Sequence, residues 1–138
     1  MRVIPLPAPL SDDPGAVRVV ADEPQSYPCR RCLQDAEVGE ALLLLSYDPF
    51  RGASPYAGPG PIYVHERACT PFEEDGIPRQ LTRRLLSVRA YDERHMLVDA
   101  DVTEGTELAA VAERLLSDAA YLHVHNAGPG CFAARMER

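Results

Sequence analysis

The sequence predicts an α+β fold: a mainly antiparallel sheet of six or seven strands, with one principal amphipathic helix packed on one face. Three observations predict it. Short runs such as 86–91 and 96–103 alternate apolar and polar side chains with a period of two. One segment alone, 107–117, repeats apolar residues at helical spacing. A Gly-Pro-Gly turn at 128–130 folds the strand-like run 131–136 back onto 121–126.

Residues 1–16 are proline-rich and without periodicity, so an extended arm is expected there, followed by a single domain over 17–138. A short strand is expected at 17–21, then a turn at Tyr27-Pro-Cys-Arg-Arg-Cys-Leu33. The run Ala41-Leu-Leu-Leu-Leu-Ser-Tyr47 reads as a strand buried on both faces. A proline- and glycine-rich loop or lid over 48–61 precedes a strand at 62–67. Acidic loop follows at 70–76, then one helical turn at 78–84.

Leu86, Val88 and Ala90 alternate with Ser87, Arg89 and Tyr91. Beyond a turn at 92–95, Met96, Val98, Ala100 and Val102 alternate with Leu97, Asp99, Asp101 and Thr103, which predicts a hairpin with one core face and one polar face. Thr106 is the expected N-cap of the helix, whose stripe is Leu108, Val111, Ala112, Leu115 and Leu116. The crossover through this helix joins two parallel or near-neighbour strands.

The last hairpin carries a register argument. Opposed residues of an antiparallel pair share a face, and a one-residue slip inverts a strand. An odd-numbered or bulged loop gathers Leu122 and Val124 with Phe132, Ala134 and Met136 on the apolar face. Tyr121, His123 and His125 then join Cys131 and Arg135 on the other. With the helix on the apolar side, the opposite face collects Arg89, Tyr91, Asp99, Asp101, Tyr121, His123, His125, Cys131 and Arg135.

Composition excludes several functions. The net charge of −7 argues against a general nucleic-acid binder. All 14 basic residues are arginine, which removes Schiff-base chemistry, pyridoxal phosphate anchoring and the lysine of a phosphate loop. No apolar run approaches membrane-spanning length, and the N-terminus does not read as a signal peptide. A cytoplasmic protein with four reduced cysteines is therefore expected.

The chemistry-bearing residues admit two metal sites and one nucleophile. His123 and His125, at i and i+2 on one strand face, could bind zinc or iron with help from Asp99, Asp101 or Cys131. The alternative set is Cys29-x-x-Cys32, completed by His65-x-x-x-Cys69, while Arg30 and Arg31 either lower the thiol pKa or stand as surface charges. For thiol catalysis, Cys131 would be the nucleophile, His125 the base and Asp101 its orienter. Arg89, Tyr91, Tyr121 and Arg135 could hold a small anionic ligand. Against each stands a bland reading: hydrogen-bonded or solvated side chains in a non-catalytic interaction module.

The segments 27–40, 85–91, 96–102 and 121–131 resemble a bacterial family catalogued as domain of unknown function 1203, and the resemblance runs from about Val17 onward. It implies a single-domain bacterial protein and transfers no activity.

Overall fold

The computed structural model describes residues 1–6 and 14–138; the remainder of the expected arm, 7–13, lies outside the described residues. The strands are β1 (Arg2–Ile4), β2 (Val17–Val20), β3 (Ala41–Tyr47), β4 (Gly60–His65), β5 (Leu85–Tyr91), β6 (Leu97–Glu104), β7 (Tyr121–Asn126) and β8 (Phe132–Glu137). The helices are α1 (Arg79–Thr82) and α2 (Leu108–Leu116), with a 3-10 turn at Gly105–Glu107. The expected single sheet of six or seven strands is corrected: among the described residues there are eight strands in two antiparallel sheets, ordered β1-β8-β7-β5-β6 and β2-β3-β4.

The apolar stripe of α2 packs as its spacing dictates. Leu108, Ala112, Leu115 and Leu116 join Leu86, Val88, Ala90, Leu122, Val124, Ala134 and Met136 in one buried cluster. The helix is short, and the N-cap position of α2 is Glu107 rather than Thr106, since the 3-10 turn leads the chain in. β6 and β7 flank β5, both antiparallel to it, so the helical crossover joins parallel near neighbours.

Two register details depart from the sequence reading. On β7 and β8, Leu122 faces Met136, His123 faces Arg135 and Val124 faces Ala134, as a bulged hairpin requires. The bulge falls at Ala133, however, so Phe132 pairs with His125 and joins the histidine face. The reason is the second sheet: Phe132 buries itself among Leu45, Ile62 and Val64 of β3 and β4, which pack against this side. Hydrophobic patterning in one hairpin cannot report a partner that lies over 60 residues away.

The second correction concerns β6. Val88 faces Asp101 and Ala90 faces Asp99, so both aspartates stand on the α2 side, opposite His123 and His125. Asp101 pairs there with Arg114 of α2. β6 is an edge strand; its apolar residues Leu97, Val98 and Val102 remain exposed, and its inward charges oppose edge-to-edge pairing.

Candidate metal centre

Cys29 and Cys32 sit in a tight knuckle. The Leu33 N–H donates to the Cys29 carbonyl (3.1 Å) and the Cys29 N–H to the Gln34 carbonyl (3.0 Å). Leu33 adopts a left-handed conformation (φ 57°), unusual for a branched residue, and its buried side chain in the main core holds it there. The knuckle docks on β4 through the Arg30 N–H, which donates to the Tyr63 carbonyl (2.9 Å). That places both thiols beside His65, the last residue of β4, and Cys69 in the loop beyond.

The result is one buried group: Cys29, Cys32, His65 and Cys69 bring their ligand atoms within 4.8 Å of one another and could hold a metal ion. Cys29 Sγ and Cys69 Sγ are 3.7 Å apart, and Cys32 Sγ and His65 Nδ1 are 3.5 Å apart. A tetrahedral ion with bonds of about 2.3 Å to sulfur and about 2.0 Å to nitrogen requires edges of about 3.8 and about 3.5 Å. These two opposite edges match.

The surroundings complete the site. Glu40 Oε1 lies 3.4 Å from His65 Nε2, the position from which a carboxylate orients a ligating imidazole. Glu40 is itself fixed by the Glu37 N–H (2.8 Å) and Arg67 Nε (3.1 Å), which hold its carboxyl below the usual range. Buried Arg31 donates through Nε to Cys69 Sγ (3.1 Å) and through Nη2 to the carbonyls of His65 and Arg67. The His65 N–H donates to Cys29 Sγ (3.3 Å). Hydrogen bonding from Cys32 pulls the Cys29 thiol down and drives Cys32 up, while Cys29, Cys69 and Glu40 raise His65 to about 9. Without a metal, an imidazolium beside a thiolate supplies the positive charge that these donors call for.

Arg30, which the sequence left open between lowering the thiol pKa and standing as a surface charge, is also buried. Its Nε donates to the Phe132 carbonyl (2.8 Å), Nη1 to the Pro28 carbonyl (2.7 Å) and Nη2 to Cys131 Sγ (3.1 Å). The knuckle thus binds β4 through its thiols and β8 through Arg30. Sequence reasoning missed Glu40 as a support; the pair of arginines enclosed by two cysteines was the signal that set Arg30 and Arg31 beside the thiols as one of two alternatives.

His123 and His125 are not assembled into a metal site. Among the described residues no metal-competent group forms around them, and Asp99 and Asp101 occupy the other face. His123 is buried between Phe50, Tyr91, Tyr121 and Phe132, with Nδ1 unpartnered. His125 Nδ1 donates to the Gly130 carbonyl (2.9 Å), and Nε2 faces Arg89 Nη1 (3.5 Å), so neither nitrogen is directed at Cys131. The Asp101–His125–Cys131 arrangement is therefore corrected: the three do not meet. Tyr121 stacks with Tyr91 and lies under the guanidinium of Arg135, which pairs with Glu137.

Burial lowers His123 to about 3, with His125, Arg135 and Arg89 adding repulsion, and lowers His125 to about 4, with Arg89 and Arg30 adding to it. Both values lie below the unfolded value of about 6.5, so the stability at stake is fully present above that pH. It is lost as acid protonates the unfolded chain first, and the loss ends once pH has fallen through the folded values. The ring-proton shifts of both histidines should stay flat from about pH 8 to about pH 5 in an NMR titration. A midpoint near 6.5 for either would show that burial does not control it.

A family model described as Protein of unknown function (DUF1203) matches residues 26–138. No curated protein and no solved structure matches. Among the described residues no helix is long and apolar enough to cross a membrane.

Proposed function

This chain belongs to the DUF1203 family, and from its own side chains we propose that it is a zinc protein whose metal is a structural clip fastening the 29–33 knuckle to the end of β4 and the loop beyond it. The observation that carries this reading is the buried Cys29, Cys32, His65 and Cys69 group with near-tetrahedral edges. Three thiolates and an imidazole select zinc over harder cations. Iron fits the same donors, and elemental analysis separates the two ions.

Four protein ligands leave no coordination position for water or substrate, so this centre supports structure rather than Lewis-acid catalysis. Three thiolates around a dication carry a net negative charge, which Arg31 offsets at 3.1 Å from Cys69. A reducing, cytoplasmic setting belongs to the same proposal, because all four cysteines are free.

Untagged protein purified without chelator should contain stoichiometric zinc by elemental analysis. Replacement by cobalt should give the absorption of a tetrahedral ion with thiolate charge-transfer bands. Protein that carries no metal and gives no such bands would overturn the proposal.

A further inference from the structure

The two sheets leave an opening where the 48–60 connection departs from β3 and returns to β4. It is a cleft of about 460 Å³, within the range of small-molecule sites. Aromatic side chains dominate its lining: Phe50, Tyr56 and Tyr91 cluster together (Phe50–Tyr91 centroids 4.9 Å, Tyr56–Tyr91 5.8 Å), and Tyr47 packs on Phe132 (6.0 Å). Arg89 of β5 and His125 of β7 supply the polar groups.

Arg89 is the informative residue. No carboxylate lines the cleft, and Arg89 makes no ion pair among the described residues. The chain has 21 acidic residues against 14 arginines, and Arg2, Arg18, Arg67, Arg84, Arg114 and Arg135 each find a carboxylate. Arg89 instead donates through Nε to Ser87 Oγ (3.3 Å) and approaches His125 Nε2 through Nη1 (3.5 Å). Because His125 Nδ1 is committed as donor to the Gly130 carbonyl, Nε2 is an acceptor and the imidazole is neutral. Half-buried Arg89 is thus held in place by neutral partners in the lining of a cleft with aromatic walls.

We propose that this cleft binds a small, flat organic monocarboxylate, with the carboxylate on Arg89 and the planar body against the tyrosine and phenylalanine rings. A planar guanidinium matches a carboxylate in geometry and charge. Phosphate fits less well. It would bring nearly two charges to one arginine, since Arg30 behind Cys131 already donates to two carbonyls and the sulfur. The aromatic walls recognise a ring or conjugated system rather than a flexible chain, because stacking on rigid rings costs little entropy.

This inference goes beyond the zinc reading, and its test is run on the protein as purified, whatever its metal content, so that the two can fail separately. The probes are benzoate, its uncharged isostere benzamide and phenyl phosphate, titrated into isotope-labelled protein and followed by NMR. Benzoate should give saturable shifts confined to Tyr91, Arg89, His125 and Cys131, and benzamide should bind about tenfold more weakly or worse. Arg89→Gln should abolish that preference, whereas Arg135→Gln, outside the lining, should leave it intact. The benzoate-to-benzamide contrast on the unaltered chain stands even where a variant folds poorly. Equal binding of the two, no saturable shift at millimolar benzoate, or tightest binding of phenyl phosphate would each overturn the proposal.

Discussion

Cys29→Ser should release the metal and cost about 3 kcal/mol of stability or more. Cys29 is fully buried and touches the site from three directions: Cys69 Sγ at 3.7 Å, the His65 N–H at 3.3 Å, and its own carbonyl and amide in the knuckle. A serine hydroxyl does not replace a thiolate on zinc. Its loss leaves Cys32 and Cys69 as buried thiols without the ion that binds them, and Arg31 as a buried cation without the anionic centre it faces. For a chain of this length the expected fall in Tm is about 10 °C or more. Chelation of the unaltered protein should move its Tm toward that of Cys29→Ser, while the variant's own Tm should ignore the chelator. A variant that melts with the unaltered protein, with or without chelator, would show that the four side chains do not clip the knuckle to β4.

Gly105→Ala should cost a similar amount, about 3 kcal/mol, for a purely steric reason. Gly105 opens the 3-10 turn between β6 and α2, and its N–H donates to the Arg84 carbonyl (2.8 Å). A Cβ there would run into the Leu81 carbonyl oxygen and lie 2.8 Å from both the Arg84 carbonyl oxygen and the Thr82 carbonyl carbon. All three are backbone atoms, which cannot swing away as a side chain tip would. Gly58→Ala is the control: its Cβ meets nothing within 4 Å, so the change should stay within about 0.5 kcal/mol. Urea denaturation of the pair measures the difference, and equal midpoints would mean that α1 yields at no cost.

Local order was legible because it obeys local rules. The runs 41–47 and 121–126, the α2 stripe and the one-turn helix at 79–82 follow from side-chain period and from glycine and proline placement. Cys29, Cys32, His65 and Cys69 were legible as a donor set from their two short spacings, because metal ligation restricts residue type and local separation.

What lay beyond the sequence depends on groups that meet across the fold. The expectation that Asp99 and Asp101 stand with His123 and His125 failed because one bulge and an edge position set the β6 register. Phe132 changed face because a second sheet offered it a core, and Phe50 from the connection after β3 closed, with Phe132, an aromatic interior around His123 on an apparently open polar face. Arg30 stayed open between a thiol-side and a surface charge until Phe132 supplied a carbonyl and Cys131 a thiol for it. The sequence by itself determined the elements, the helix-side core and the donor set for a metal. Only the tertiary structure decided which pairs of donors meet, which strand faces are covered, and that Arg89 would stand without a carboxylate in the lining of a cleft. Periodicity and spacing constrain residues within a few positions of one another, whereas burial and charge pairing are set by whichever distant strand packs on top.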